Sequence, residues 1–176
     1  TGERNCAFWE KPLPDGVKQA ILDMEIMPSM RALMTAGQAL RRDNMAGYNC
    51  AYIAVDNVRV FDENLYVLLC GTGVGFSVER QHIHKLPDIA EEFHQTDTII
   101  VVRDSKIGWA SALRELVSLL YLGVIPNIDY SRIRLAGERL KIFGGRASGP
   151  DPLKRLFSQY IRIFQHAAGR KLTSLE

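Results

Sequence analysis

The chain has 176 residues, of which 47% are hydrophobic and 24% charged, the size and balance of one soluble globular domain. A formal net charge of +2 provides no electrostatic footprint for nucleic acid, and three scattered cysteines, Cys6, Cys50 and Cys70, exclude a secreted disulfide framework. No CxxC occurs, the HxH of His82 and His84 has no third ligand at a supporting spacing, and apolar runs break short of the ~18 residues of a membrane span, so a soluble protein of a reducing, cytoplasmic compartment is expected.

The opening TGERNCAFWE lacks the basic-then-apolar order of a signal peptide. Between Asp15 and Glu25, Val17, Ala20, Ile21 and Met24 recur at helical spacing, and Pro28 is placed to end that helix. Ser29 heads a second helix predicted to run through Arg41, with Met30, Leu33, Met34 and Leu40 inward. The turn-rich RRDNMAGYN leads into CAYIAVD, which reads as a buried strand ending at Asp56. DENLYVLLC predicts a short helix capped by Asp62, with GTG at its C-terminal end and a strand, VGFSVE, beyond.

After Pro87 an irregular acidic patch precedes TDTIIVVRD, the strongest strand pattern in the chain. Ser105 opens a helix with a wide apolar face of Trp109, Ala112, Leu113, Leu116, Leu119 and Leu120, and Gly123 closes it. The long Gly/Pro-punctuated stretch DYSRIRLAGERLKIFGGRASGPDP is expected to hold a short strand around Ile133. Asp151 is placed to cap a last long helix, with Pro152 at its first position. Leu153, Leu156, Phe157, Tyr160, Ile161 and Phe164 form its inner face, and Gly169 ends it. In the closing KLTSLE, Thr173 and Glu176 have capping-box spacing, which reads as a helix just beginning and so as a piece of a longer polypeptide. Strands alternating with helices predict an α/β architecture with largely parallel strands.

Three stretches are candidates for chemistry. LLCGTGVGFSV has its glycines in the order helix, glycines, strand, the reverse of a dinucleotide fingerprint, so a nicotinamide oxidoreductase is disfavoured and a tight turn is expected. GERLKIFGGRASGPDP combines Gly144, Gly145 and Gly149 with Arg139, Lys141 and Arg146 ahead of a helix N-terminus, the composition of either a phosphate-holding loop or a solvated surface loop. In GYNCAY, Cys50 is either a small hydrophobe packed at a strand start or a thiol presented for chemistry, and a redox role requires a second thiol. Cys6 and Cys70 are read as packing residues.

Taken in order, MPSMRALMTAG, GYNCAY, GTGVGFSVE, KIGWASALRELV and SRIRLAGERLKIFGGRASGPDPL resemble ribonucleotide reductase catalytic subunits, above all the adenosylcobalamin-dependent class, from Arg4 to Glu176. The resemblance implies a ten-stranded α/β barrel of which this chain carries the first half: a helical N-terminal segment over 1–48, then a half-barrel over 49–176 with a specificity loop around 134–150. It implies that Cys50 is one of a pair of cysteines oxidised as the ribose 2'-hydroxyl is reduced. It also places Asn49 and Thr35, Ala36 and Gly37 at the substrate's phosphates and ribose. Arg134, Arg139, Lys141 and Arg146 become candidates for the phosphates of a deoxynucleoside triphosphate effector, and Asp56 for its sugar or base. The implied cofactor is adenosylcobalamin, or alternatively a radical-generating metal subunit. The implied partners are the remaining polypeptide with the radical-bearing cysteine, a ribonucleotide, the effector and a dithiol reductant such as thioredoxin, without which the chain alone is expected to be inactive. The competing reading is a non-catalytic nucleotide-binding regulatory module.

Overall fold

The computed structural model describes residues 14–27, 29–140 and 145–176; Cys6, Pro28, Lys141 and Gly144 lie outside them, as does the side chain of Leu33. Helix α1 (Asp15–Leu22) stops short of the Glu25 its periodicity predicts, because the chain turns at Asp23 and Met24 takes a left-handed φ of 59°. The single helix expected from Ser29 to Arg41 is instead two, α2 (Met30–Thr35) and α3 (Gln38–Arg42). Gly37 separates them with φ 100° and ψ −133°, a conformation open to glycine alone. The break rotates the apolar face: Leu40 is buried as expected, whereas Met30 and Met34 point outward. A 3-10 turn (Asn44–Gly47) follows, and the Asp43 carboxylate caps it by accepting the Met45 amide at 3.2 Å.

Two strand–helix–strand units make up most of the remainder. In the first, β1 (Cys50–Ala54) and β2 (Gly73–Ser77) are parallel, with Cys50 opposite Gly73 and Ala54 opposite Ser77, and α4 (Val60–Leu69) connects them. Asp62 is not the cap of α4, whose N-cap position is Arg59. Its buried carboxylate instead receives Arg114 Nε at 2.9 Å and Nη2 at 2.5 Å. After a short helix α5 (Arg80–Ile83), strands β3 (His94–Val101) and β4 (Val124–Asp129) form a second parallel pair joined by α6 (Lys106–Tyr121). The parallel α/β organisation predicted from the alternation is therefore present.

Strand β4 escaped the sequence reading because Pro126 sits inside it, and proline is a poor member of a ladder. The register explains how it is tolerated. Pairing runs from His94/Val124 to Gln95/Ile125 and then jumps to Ile99/Asn127, so the proline lies where the ladder is already interrupted. The Asn127 side chain donates to the Thr96 carbonyl at 3.1 Å across that gap. Ile133 is buried in a turn rather than a strand, its amide bonded to the Tyr130 carbonyl at 3.0 Å.

The core lies between α6, α7 (Asp151–His166), α4 and the inner faces of the strands. Ser105 caps α6 by accepting the Gly108 amide at 3.0 Å, and four of the predicted inner residues, Ala112, Leu113, Leu116 and Leu120, are buried. Helix α7 begins at Asp151 with Pro150 in the cap position and buries Leu153, Phe157 and Phe164, so Asp151 is its first residue rather than its cap. Gly123 at φ 76° ends α6 against the loop before β3, where an added Cβ would lie 2.2 Å from the Glu92 carbonyl oxygen. At the C-terminal residues, Glu176 accepts both the amide and the hydroxyl of Thr173 at 2.9 Å, the reach-back expected of a capping box. Arg170 binds the same carboxylate and holds it down to about 2.

Candidate functional site

Residues 43–50 run directly into the head of β1, and the sequence places polar groups there that find partners far along the chain. Asp43 Oδ2 accepts the Cys70 thiol at 2.9 Å and the Lys106 ammonium at 2.9 Å, joining the segment before β1, the end of α4 and the start of α6. Burial raises the affinity of Asp43 for a proton, but the Cys70, Lys106 and Met45 donors outweigh it and hold the carboxyl below its ordinary value. Burial and the same carboxylate push the Cys70 thiol up, and burial with the Cys70 and Asp43 charges pushes Tyr66 up to about 12. Cys70 is thus a buried, protonated donor, more than the packing residue expected and unlike a reactive thiolate.

Cys50 differs. It is exposed, and so is Tyr52 two residues on, so β1 alternates rather than being buried throughout. The face bearing Cys50 and Tyr52 continues across the ladder as Gly73 and Gly75. Neither glycine is forced by crowding, since an added Cβ would meet nothing closer than a backbone carbonyl at 3.7 Å and 3.9 Å. Only Gly71, at φ 83°, serves the turn predicted for GTG. The glycines beside Cys50 therefore leave a bare strand surface against which another molecule can lie close.

Asn49 is exposed next to Cys50, and its carbonyl accepts the Gly73 amide at 3.0 Å, which sets the first rung of the β1–β2 ladder. Thr35, a candidate for substrate contact, is buried, and its hydroxyl donates to the Arg31 carbonyl at 2.7 Å. Ala36 and Gly37 are half-buried at the break between α2 and α3.

The proposed effector residues lie elsewhere. Asp56 follows the opposite end of β1, about 20 Å from Cys50 at strand rise. It pairs with Lys85 at 3.5 Å and accepts from Asn57 at 2.9 Å, and these contacts keep its pKa low. Arg134 binds Asp104 at 2.7 Å, at the turn between β3 and α6. The loop closes by backbone bonds, Gly137 N to Ala147 O at 2.9 Å, Ala147 N to Glu138 O at 2.7 Å and Leu140 N to Gly145 O at 3.0 Å. Arg139 and Arg146 face each other across it, both exposed, and Arg146 Nη1 donates to the Gly137 carbonyl at 3.0 Å. Lys141 lies outside the described residues. Arg31, Asp43 and Asp104 were missed by sequence reasoning, because nothing local marks them; only their distant partners do.

Among the described residues no cluster of His, Cys, Asp and Glu assembles a metal site, and no helix is long and apolar enough to cross a membrane.

No protein-family model matches the chain. It is 28% identical over 162 residues to an adenosylcobalamin-dependent ribonucleoside-triphosphate reductase of Euglena gracilis, covering 87% of this chain and 22% of that protein. A probable enzyme of the same name from Dictyostelium discoideum is 26% identical over 176 residues, covering 88% and 23%. A putative one from Mycobacterium phage D29 is 40% identical over 72 residues, covering 39% and 10%. The chain thus spans about a fifth of the length of the first two of these relatives. The crystal structure of a B-12 dependent (class II) ribonucleotide reductase superposes with a TM-score of 0.76 at 21% identity, covering 99% of this chain and 34% of that one. Over the residues it spans, the chain is a homologue of the adenosylcobalamin-dependent ribonucleoside-triphosphate reductases, with the fold of the matching third of a class II enzyme.

Proposed function

We propose that the chain is the part of an adenosylcobalamin-dependent ribonucleotide reductase that carries one redox-active cysteine, Cys50, and the first specificity loop, around 134–150. The observation that carries this reading is the exposure of Cys50 at the head of a parallel strand, beside the bare glycine surface of β2, in a chain related to such reductases. The two parallel pairs are then the beginning of a ten-stranded barrel. The open face of Cys50 and Tyr52 becomes its interior, which accounts for a thiol that is exposed here although its chemistry requires shelter from water.

In the reaction, a thiyl radical on a cysteine of the remaining polypeptide takes the 3'-hydrogen of the ribonucleotide. Water leaves C2', and Cys50 with a second cysteine supplies two electrons and two protons, closing to a disulfide that a dithiol such as thioredoxin reopens. Asn49 and the Thr35–Gly37 turn are assigned to holding the substrate. Adenosylcobalamin, on which the relatives depend by name, would supply the radical chemistry when bound. Arg134, Arg139, Lys141 and Arg146 are assigned to the effector's phosphates and Asp56 to its sugar or base. At the root of the loop Arg134 is paired with the Asp104 carboxylate at 2.7 Å, and the Glu138 carboxylate accepts the Leu135 amide at 3.1 Å.

The test is Cys50→Ser in the complete reductase, assayed for ribonucleotide reduction with a dithiol reductant. Multiple turnover is expected to stop. A variant that turns over as fast as the wild type removes Cys50 from the redox pair.

A further inference from the structure

We infer that Arg31 is a positioning residue for Cys50, holding the heads of β1 and β2 in register through a single guanidinium. Its Nε donates to Asn49 Oδ1 at 3.3 Å, and its Nη2 donates to the Gly71 carbonyl. One side chain on α2 thereby ties the residue before Cys50 to the turn before Gly73, the residue that faces Cys50 across the ladder.

Both acceptors are presented to this partner for a local reason. Gly71 leaves α4 with φ 83°, which swings its carbonyl out of the helix ladder. Asn49 is exposed, and its own carbonyl is spent on the Gly73 amide. With Asn49 held at its side chain and at its carbonyl, the Cys50 backbone has little freedom to tilt. Gly71 also makes room for the fork, since an added Cβ would stand 3.0 Å from Arg31 Nη1. The task suits arginine specifically: two acceptors at a fixed separation match a planar fork, whereas a lysine ammonium is one point on a flexible stem. Arg31 is itself anchored, because Thr35, buried in the next turn of α2, donates its hydroxyl to the Arg31 carbonyl.

This inference rests on the reading of Cys50 as a working thiol for its importance, but its test does not. In the full chain, the alkylation rates of Cys50 and Cys70 are followed separately by peptide mass spectrometry for wild type, Arg31→Lys and Arg31→Ala. The buried Cys70 serves as the control for global opening. Lysine keeps the charge and a similar helix propensity, so the melting temperature is expected to hold while the Cys50 rate shifts several-fold and the Cys70 rate does not. Ethylguanidinium at non-denaturing concentration is expected to return the Arg31→Ala rate towards wild type, and ethylammonium is not. If either variant melts early, the ratio of the two rates is read below its transition. A Cys50 rate unchanged in both variants, or changed only in step with Cys70, overturns the inference. Should Arg31→Lys shift the Cys50 rate while Cys50→Ser leaves ribonucleotide reduction intact, the positioning role stands and the redox reading falls.

Discussion

The head of β1 and the loop at 134–149 are both polar and both proposed to meet a nucleotide, yet they are held in opposite ways. At the head of β1 the tethers are side chains from distant segments: Asp43 to Cys70 and Lys106, Arg31 to Asn49 and Gly71, and the buried Thr72 hydroxyl against the carbonyls of Met45 and Tyr48 at 3.0 Å and 2.9 Å. The loop is closed by its own backbone, with Arg139 and Arg146 on the outside. Long-range side-chain bonds tie the segment leading into Cys50 to distant parts of the chain. The backbone bonds of the loop leave Arg139 and Arg146 exposed, Arg146 with one side-chain bond to the Gly137 carbonyl.

The largest loss is expected at Asp43. Replacing it with alanine removes the acceptor that the part-buried Lys106 and Cys70 share, a loss of about 2 kcal/mol with an unchanged denaturant slope in urea unfolding. A loss under about 0.5 kcal/mol means that the three segments do not depend on that carboxylate. The pH dependence sharpens the point. Asp43 has a folded pKa below the ordinary 3.8, so its contribution is complete above 3.8 and is lost as the pH falls through the folded value. The stability gap between wild type and Asp43→Asn should stay constant from about pH 7 to about pH 5 and then close as acid is added. Glu176, held down to about 2 by Arg170, titrates in both proteins and cancels in the difference.

What the sequence makes legible follows from the same contrast. Helices α6 and α7 are readable because their inner faces repeat every turn, and the parallel organisation because strands and helices alternate. The head of β1 is largely unreadable. Asp43 lies 27 residues from Cys70 and 63 from Lys106, so no window of local pattern contains the cluster. Gly37 splits an otherwise unbroken helical period, and Pro126 hides β4 by occupying the one gap in its ladder. The exposure of Cys50 is equally invisible, because CAYIA is apolar at every position whether or not one face is covered. The loop is the converse case. Its glycines and arginines stand out in the sequence, whereas the pairing of Arg134 with Asp104 does not.

Within the loop, glycine geometry should matter more than charge. Gly149 combines φ 73° with an added Cβ that would lie 3.0 Å from the Ala136 amide nitrogen and 3.1 Å from its Cβ. Gly137, at φ 89°, has nothing within 4 Å. Gly149→Ala should therefore cost about 2 kcal/mol, strain and crowding together, and Gly137→Ala about 1 kcal/mol from strain alone. Chemical denaturation of the two variants side by side measures the difference, and equal losses would mean that the contact with Ala136 contributes nothing.

The smallest effects on stability belong to the cations. Arg139→Ala and Arg146→Ala remove exposed side chains, and each should change stability by no more than about 0.5 kcal/mol, since the backbone bonds that close the loop remain. Arg134→Ala should cost more, because it leaves the half-buried Asp104 without its partner. Binding should rank them differently. Titration with a deoxynucleoside triphosphate at rising salt should show both outer arginines weakening affinity, with a shallower salt dependence for each charge removed. A side chain that adds little to the fold yet sets the affinity for an anion has its purpose outside the folded chain. If Arg139→Ala and Arg146→Ala leave affinity and salt dependence untouched, the loop is a solvated turn whose positive charge has no ligand.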